Sequence, residues 1–166
     1  MKIYLIGMPG SGKSTLGRLL AAELSLPFED LDATIEARER RTIPEIFAEK
    51  GEDYFRLLES QCLQEFAASA NHFVMSTGGG TPCFYNGMDI INDSGISVFL
   101  DVPLTEISAR ISQEMHRPLL QVEDGDKQEA RLQALYDARL ECYRRATVIV
   151  KNPTPEKVLE ALRLRR

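Results

Sequence analysis

The sequence contains no tryptophan and only 3 cysteines, and aromatic residues make up 7% of its 166 positions. The cysteines (Cys62, Cys83 and Cys142) are widely spaced and odd in number, and none belongs to a Cys-x-x-Cys motif. Disulfide-stabilised folds and structural zinc sites depend on paired or closely spaced cysteines. We therefore expect neither disulfides nor zinc.

Long apolar runs and an excess of basic residues are also missing. No apolar stretch approaches the roughly 20 residues that a helix needs to cross a bilayer. The formal net charge is −5, whereas a nucleic-acid-binding face needs clustered basic residues. Because Met1 leads directly into an apolar run, we expect no signal peptide. These absences predict a cytoplasmic enzyme that binds neither membrane nor nucleic acid, and we expect it to act as a monomer.

Apolar runs alternate with helical spacings along a chain whose length fits one domain. We predict strands at 3–6, 26–29, 73–75, 96–100 and 147–150. We predict helices from about 15 to 24, 33 to 51 (broken), 53 to 70, 86 to 93, 102 to 110, 128 to 145, and 155 onwards. The periodicity fails from 112 to 127, which predicts a mobile loop. Strands that alternate with helices predict a parallel sheet covered on both faces.

Residues 7–14, Gly-Met-Pro-Gly-Ser-Gly-Lys-Ser, match the pattern Gly-x-x-x-x-Gly-Lys-Ser/Thr between a predicted strand and a predicted helix. Glycines let such a loop turn its N–H groups toward an anion, and the start of the helix adds positive potential. Lys13 can reach the outer phosphates of a nucleotide, and the Ser14 hydroxyl can bind Mg²⁺. The alternative is a glycine-rich turn that binds nothing. The flanking elements favour a nucleotide site.

Two further polar segments follow predicted strands, where parallel α/β sheets bind their ligands. Asp30-Leu31-Asp32 follows the second strand, and Gly78-Gly79-Gly80 follows the third. The third strand ends in Ser76-Thr77, without the aspartate that binds Mg²⁺ in a generic P-loop ATPase. Asp30 and Asp32 are therefore the acidic candidates for the metal, although either can instead cap the next helix.

The sequence resembles the shikimate kinase family of small-metabolite kinases over residues 3–145. The resemblance rests on residues 7–14, Asp30-Leu31-Asp32, Phe55-Arg56-Leu57-Leu58-Glu59, Gly78-Gly79-Gly80, Arg117-Pro118-Leu119-Leu120, and Arg139 with Tyr143. It implies one α/β P-loop kinase domain over 1–166, with a central five-stranded parallel sheet, helices on both faces and a mobile lid at about 112–127. It also implies transfer of the γ-phosphoryl group of Mg·ATP to the 3-hydroxyl of shikimate. The products would be ADP and shikimate 3-phosphate, an intermediate of chorismate and aromatic amino acid biosynthesis.

The resemblance assigns one set of residues to ATP and its metal. Ser14 and Asp30 would bind Mg²⁺, Asp30 through water because Mg²⁺ gives up its hydration reluctantly. Lys13 and Arg117 would balance the charge of the phosphoryl group in flight, and Arg110 would flank the adenine. The residues expected to bind ATP are Gly10, Ser11, Gly12, Lys13, Ser14, Thr15, Arg110 and Arg117.

A second set of residues would bind shikimate. Asp32 would contact the acceptor hydroxyl and accept its proton. Arg56 and Arg139 would bind the carboxylate through charge-assisted hydrogen bonds. Glu59 follows Arg56 by three positions on a predicted helix and can orient its guanidinium. The backbone of the glycine triplet would face the ring, where side chains leave no room; its members are Gly78, Gly79 and Gly80.

Taken singly, the arginines allow other interpretations. Arg56 can be a solvated helix residue paired with Glu59, and Arg110 can also be solvated. Arg139 lies among other arginines, as on a charged face: Arg131, Arg144 and Arg145. Arg117 precedes Pro118 in the aperiodic stretch, where a role in core packing is not expected. This favours a functional role.

The chain departs from the family pattern between Arg139 and Tyr143. Leu140-Glu141-Cys142 stand there, where the family commonly has a proline and a leucine. The spacing from Arg139 to Tyr143 is kept, so the alignment of the arginine is kept as well.

Three other functions compete with a shikimate kinase. One is another small-metabolite kinase of this fold, such as a gluconate or nucleoside monophosphate kinase, although we find no base-reading groups. Another is a nucleotide-binding regulatory module without catalysis, disfavoured because Lys13, Ser14, Asp32 and Arg117 occur together. The third is a nucleic-acid-linked P-loop ATPase, disfavoured by the acidic charge and the missing strand-end aspartate.

Overall fold

Strands and helices alternate through the computed structural model, which describes residues 1–114 and 125–164. The strands are β1 (Lys2–Ile6), β2 (Phe28–Asp30), β3 (Phe73–Ser76), β4 (Ile96–Asp101) and β5 (Val148–Lys151). The helices are α1 (Lys13–Leu24), α2 (Leu31–Glu39), α3 (Ile43–Ala68), α4 (Gly87–Ser94), α5 (Leu104–Glu114), α6 (Gly125–Tyr143) and α7 (Pro155–Arg163), with a 3-10 turn at Thr81–Cys83.

The strands form one five-stranded sheet in the order β2-β3-β1-β4-β5, and every neighbouring pair is parallel. Tyr4 of the central strand β1 lies opposite Met75 of β3 and Ser97 of β4. Because all the strands run the same way, their carboxyl ends meet at one edge of the sheet. The predicted five-stranded parallel sheet is confirmed.

Side chains of β1 alternate between two apolar layers, as the two-residue period of a strand requires. Tyr4 and Ile6 pack in one core with residues of α3, α4, α5 and α6. Ile3 and Leu5 pack in another core with residues of α1 and α7. Helices therefore cover both faces of the sheet, and both faces of β1 are buried.

The starts of α2 and α3 follow from local capping. Asp30 caps α2, with its Oδ1 accepting a hydrogen bond from the amide of Ala33 at 3.1 Å. Thr42 and Glu45 form a reciprocal capping box at the start of α3. Gly51 interrupts α3 with a φ of 81° and a ψ of 170°, which agrees with the predicted break near this position. The part of α3 after Gly51 carries Arg56 and Glu59 toward the sheet edge.

The predicted loop at 112–127 is wrong at both of its ends. Ser112 lies inside α5, which continues to Glu114, and Lys127 lies inside α6, which begins at Gly125. These turns are exposed and polar, so they carry no apolar periodicity from which a helix can be recognised. The rest of the predicted lid, residues 115–124, lies outside the described residues.

The helices of the described ranges, 1–114 and 125–164, were compared with the length and hydropathy of a bilayer span. None of them is both long and apolar enough to cross a membrane.

Candidate active site

A cavity of about 1010 Å³ opens at the carboxyl ends of β1, β2 and β3. Its walls come from the loop between β1 and α1, from the junction of β2 and α2, and from the segment after β3. The lining includes Pro9, Gly10, Ser11, Gly12, Lys13, Ser14, Thr15, Asp30, Asp32, Gly78, Gly79 and Arg110. The sheet therefore brings the predicted phosphate loop and the aspartate pair to one cavity.

The phosphate loop has a compact backbone of its own. The Ser11 amide donates to the Met8 carbonyl at 3.1 Å, and Gly12 takes a φ of 86° immediately before α1. Residues with a side chain rarely adopt this left-handed conformation, so glycine is required there. The loop and the start of α1 line the cavity, and backbone N–H groups at such a helix start are suited to an anion.

Lys13 is buried beneath this loop, with 8% of its surface exposed. Its Nζ donates to the carbonyls of Gly7 at 3.0 Å and Met8 at 2.8 Å. Burial is the main cause that lowers the Lys13 pKa to about 8, Arg139 lowers it further, and Asp32 and Asp30 oppose the shift. The charge of Lys13 therefore interacts with Asp30, Asp32 and Arg139 of α6.

Ser14 and Asp30 form the second polar group of the cavity. Ser14 Oγ donates to Asp30 Oδ2 at 2.8 Å and lies 3.1 Å from Ser76 Oγ. Asp30 also caps α2, so the alternative of a helix cap is confirmed, and its role in binding Mg²⁺ stays a prediction. Carboxylate and hydroxyl oxygens are ligands that Mg²⁺ accepts. Ser76 was missed as a neighbour of this pair, although its position at the end of β3 was a usable signal.

Asp32 lies in the first turn of α2, close to the glycine triplet. Its Oδ1 is 3.1 Å from the position that a Cβ on Gly78 would take. Burial is the main cause that raises the Asp32 pKa to about 6. The nearby carboxylates of Glu59, Asp30 and Glu36 raise it further, and Lys13 lowers it. A carboxylate with such a pKa is ionised at neutral pH and is a better proton acceptor than an ordinary aspartate.

Arg56 on α3 is buried, so its interpretation as a solvated helix residue does not hold. Its Nη1 donates to Glu59 Oε1 at 2.9 Å, and Glu59 Oε2 accepts from Thr81 Oγ1 at 2.7 Å. A Cβ on Gly80 would lie 2.5 Å from Arg56 Nη1, so the guanidinium lies directly against the glycine backbone. The predicted orienting pair of Arg56 and Glu59 is present, and Thr81 fixes its other end.

Arg139 on α6 reaches the same glycine triplet. A Cβ on Gly79 would lie 2.9 Å from Arg139 Nη1. Tyr143, four positions further along α6, is fully buried and donates from its hydroxyl to the Gly79 carbonyl at 2.6 Å. Burial is the main cause that raises the Tyr143 pKa, so the hydroxyl keeps its proton for this bond. The sequence assigned no role to Tyr143, although the helical spacing from Arg139 was a usable signal.

Arg110 on α5 lies over the phosphate loop. Its Nη1 donates to the carbonyl of Gly10 at 3.2 Å, and its Nη2 pairs with Glu106 at 2.6 Å. The side chain is 41% exposed, so it remains available to a ligand in the cavity that it lines. Arg117, predicted as a catalytic and nucleotide-binding residue, lies outside the described residues.

Comparisons with known proteins point to one family. The model of the shikimate kinase family matches residues 9–163. A shikimate kinase of Phocaeicola vulgatus is 48% identical over 120 residues, covering 72% of this chain and 68% of that protein. The shikimate kinase of Aquifex aeolicus is 37% identical over 165 residues, covering 99% of this chain and 95% of that protein.

A solved structure shares the whole architecture. The shikimate kinase of Acinetobacter baumannii in complex with shikimate superposes with a TM-score of 0.87 at 33% identity, covering 99% of this chain and 94% of that chain. The family model and the curated relatives span most of the chain, from the phosphate loop to α7. The chain belongs to the shikimate kinase family.

Proposed function

We propose that this chain transfers the γ-phosphoryl group of Mg·ATP to the 3-hydroxyl of shikimate, giving shikimate 3-phosphate and ADP. One observation carries the proposal. Asp32, Arg56 and Arg139 come from three different helices and all reach the glycine triplet Gly78-Gly79-Gly80, beside the phosphate loop. In such a pocket, beside a nucleotide site, Asp32 can act as a base toward a small hydroxy acid while Arg56 and Arg139 bind its carboxylate.

The phosphate loop binds ATP through backbone N–H groups and through Lys13. Its residues fit a phosphate because the Ser11 hydroxyl is buried without a hydrogen-bond partner in the described part of the chain. A phosphate oxygen supplies the missing partner, and buried polar groups are rarely left without one. Lys13 can exchange its bonds to the Gly7 and Met8 carbonyls for phosphate oxygens. Arg110 completes the nucleotide site from above the loop.

Ser14 and Asp30 would hold Mg²⁺, which would supply positive charge to the phosphate oxygens. The donor set fits this cation because Mg²⁺ prefers oxygen ligands and keeps several waters. Ser14 Oγ is hydrogen-bonded directly to Asp30 Oδ2, and both residues line the cavity. Asp30 would act through water, and its capping bond from Ala33 N would remain in place.

Arg56 and Arg139 bind the carboxylate of shikimate. Each guanidinium lies against the glycine triplet, and planar guanidinium groups make paired hydrogen bonds to carboxylates. Glu59 holds Arg56 in place and screens its charge before the acid binds. A side chain at Gly79 or Gly80 would collide with an arginine, so glycine at these positions lets both guanidinium groups lie against the backbone.

Asp32 accepts the proton of the 3-hydroxyl while that oxygen attacks the γ-phosphorus and ADP leaves. Its raised pKa, about 6, keeps most of the carboxylate ionised at neutral pH and improves its affinity for the proton. Lys13 neutralises charge on the phosphoryl group. Arg117, in the part of the predicted lid between α5 and α6 (115–124), adds a second cation, and this lid excludes water from the phosphate. The single domain acts as a monomer.

A coupled ADP-release assay tests the function. Purified protein with ATP and Mg²⁺ should release ADP with shikimate and give shikimate 3-phosphate by mass spectrometry. Gluconate and nucleoside monophosphates should give only the background rate. The Lys13→Ala variant should lose activity with shikimate, which excludes a contaminating kinase. Absence of ADP release with shikimate, or equal rates with another acceptor, would overturn the proposal.

A further inference from the structure

The short segment after the glycine triplet contains a phenylalanine to which the proposed reaction gives no role. Phe84 directly follows the 3-10 turn at Thr81–Cys83, and 38% of its surface is exposed. The guanidinium carbon of Arg56 lies over the Phe84 ring, 4.2 Å from the ring centre. A cation within about 6 Å of a ring centre is attracted by the negative face of the ring. Phe84 is therefore a direct partner of an arginine that we place in the shikimate pocket.

The other neighbours of the Arg56 guanidinium restrain it and leave one nitrogen for a ligand. A Cβ on Gly80 would lie 2.5 Å from Nη1 and 2.7 Å from both Cζ and Nη2. These similar distances place the face of the group, rather than its edge, against the backbone of Gly80. Nη1 donates to Glu59 Oε1 at 2.9 Å. Among the residues that the structure describes, Nη2 has no hydrogen-bond partner, so it is available to a carboxylate.

The backbone turn that carries Phe84 is strained. The Gly87 amide donates to the Phe84 carbonyl at 2.9 Å, which closes the turn. Tyr85 and Asn86, inside the turn, have φ angles of 49° and 57°. Two successive positive φ angles are typical of a type I′ turn, which disfavours a residue as bulky as tyrosine. Such strain persists where packing holds the backbone, and here a Cβ on Gly87 would meet the Thr81 carbonyl oxygen at 2.0 Å. The packed turn thus fixes where the Phe84 ring lies.

We propose that Phe84 is a positioning residue for the carboxylate of shikimate and that it acts through Arg56. The ring covers the guanidinium, so it keeps water away from the charge and limits how far the group can tilt. A charge shielded from water interacts more strongly with an incoming carboxylate. A planar guanidinium also makes its paired hydrogen bonds only in one orientation. The inference rests on the proposed function, because it requires Arg56 to bind the acid.

Loss of the ring should weaken shikimate binding without slowing the chemical step. Phe84→Leu keeps an apolar side chain but removes the aromatic face. Its KM for shikimate should rise by about three- to thirtyfold, which is the strength of a cation–π contact between exposed and desolvated sites. We expect kcat and KM for ATP to stay unchanged, because the contact contributes equally to binding of the substrate and of the transition state. Phe84→Tyr keeps the aromatic face and should keep the original KM.

Tyr85→Asn is the matched control. Tyr85 is the neighbouring aromatic residue of the same turn, and 52% of its surface is exposed. Asparagine tolerates a positive φ, so this change removes an aromatic ring and keeps the turn. Its KM for shikimate should equal that of the unmodified enzyme.

The coupled ADP-release assay measures kcat and both KM values, and thermal denaturation shows whether each variant is folded. A raised KM for shikimate in Phe84→Leu, with original values in Phe84→Tyr and Tyr85→Asn, supports the proposal. It is overturned if Phe84→Leu keeps its KM, if Phe84→Tyr or Tyr85→Asn loses as much, or if KM for ATP rises equally. Failure of Phe84→Leu to fold would also overturn it, since the role of the ring would then be structural.

Failure of the proposed function has a different signature. An unmodified protein that does not phosphorylate shikimate would overturn the function and this inference together. An active unmodified protein whose KM for shikimate is unchanged in Phe84→Leu would overturn this inference alone.

Discussion

The phosphate loop and the proposed shikimate pocket lie side by side, but the chain builds them in different ways. The phosphate loop is one continuous segment, 7–15, whose N–H groups and lysine are fixed by the local turn and by α1. The proposed shikimate pocket collects Asp32, Arg56, the glycine triplet and Arg139 from four separate segments. The first is a local structure, and the second exists only when the whole sheet and its helices have packed.

The charged groups of the two sites also differ in how local their partners are. Lys13 is held by two backbone carbonyls of its own loop, so its bonds survive most changes elsewhere. Arg56 depends on Glu59, and Glu59 depends on Thr81, so one substitution leaves a buried charge without its partner. We therefore expect pocket variants to alter shikimate kinetics while leaving ATP binding intact. The following variants test that separation.

The largest effect is expected for Asp32→Asn. Loss of the proton acceptor should lower kcat by roughly a hundred- to ten-thousandfold, with KM for ATP unchanged. The coupled ADP-release assay measures both constants. Glu36→Gln is the matched control because Glu36 also lines the cavity and acts on the Asp32 pKa. The assignment fails if Asp32→Asn keeps the original kcat, or if the control loses as much.

Arg56→Ala and Arg139→Ala should both weaken shikimate binding but differ in their effect on the stability of the fold. Each should raise KM for shikimate by about ten- to a hundredfold, because each removes a charge-assisted hydrogen bond to the carboxylate. Only Arg56→Ala should also destabilise the fold, by about 3–5 kcal/mol, since it leaves Glu59 charged and buried. Thermal denaturation measures that loss.

A control for the arginine variants lies on the same helix. Glu52 also pairs with Arg56, but its side chain is 55% exposed, so Glu52→Gln should change neither KM nor stability. Equal thermal stabilities for the two arginine variants would contradict the distinction between them.

The pH profile of kcat/KM should have an acidic limb caused by Asp32 and an alkaline limb caused by Lys13. Below about pH 6, Asp32 gains a proton and stops acting as a base, so kcat/KM for shikimate should fall by about tenfold per pH unit. Above about pH 8, Lys13 loses its proton, so kcat/KM for ATP should decline. Lys13→Arg should remove the alkaline limb, because arginine keeps its charge there. An alkaline limb that persists in this variant would exclude Lys13 as its source.

The smallest effect is expected for Tyr143→Phe. The change removes the hydroxyl that donates to the Gly79 carbonyl and keeps the ring packed on Phe99. Loss of one hydrogen bond should raise KM for shikimate by about two- to tenfold, with kcat and KM for ATP preserved. Equal changes in both KM values would instead indicate a general structural role for Tyr143.

The sequence predicted the fold and the phosphate loop well because both depend on local patterns. The Gly-x-x-x-x-Gly-Lys-Ser motif fixes a turn and a helix start within one segment, and apolar runs identify strands buried on both faces. The exposed turns at 112–114 and 125–127 were missed because polar helices carry no apolar stripe. Arg117 and its proposed role stay predictions.

What the sequence determined by itself is the family, the parallel sheet and the chemical types of residue at the strand ends. Tertiary structure alone decided that Arg56 is buried against Gly80 and that the Tyr143 hydroxyl donates to the Gly79 carbonyl. It also set the pKa values of Lys13 and Asp32, which depend on burial and on charges from distant segments. The physical reason is that backbone turns respond to their nearest neighbours, whereas burial and charge pairing are properties of the packed molecule.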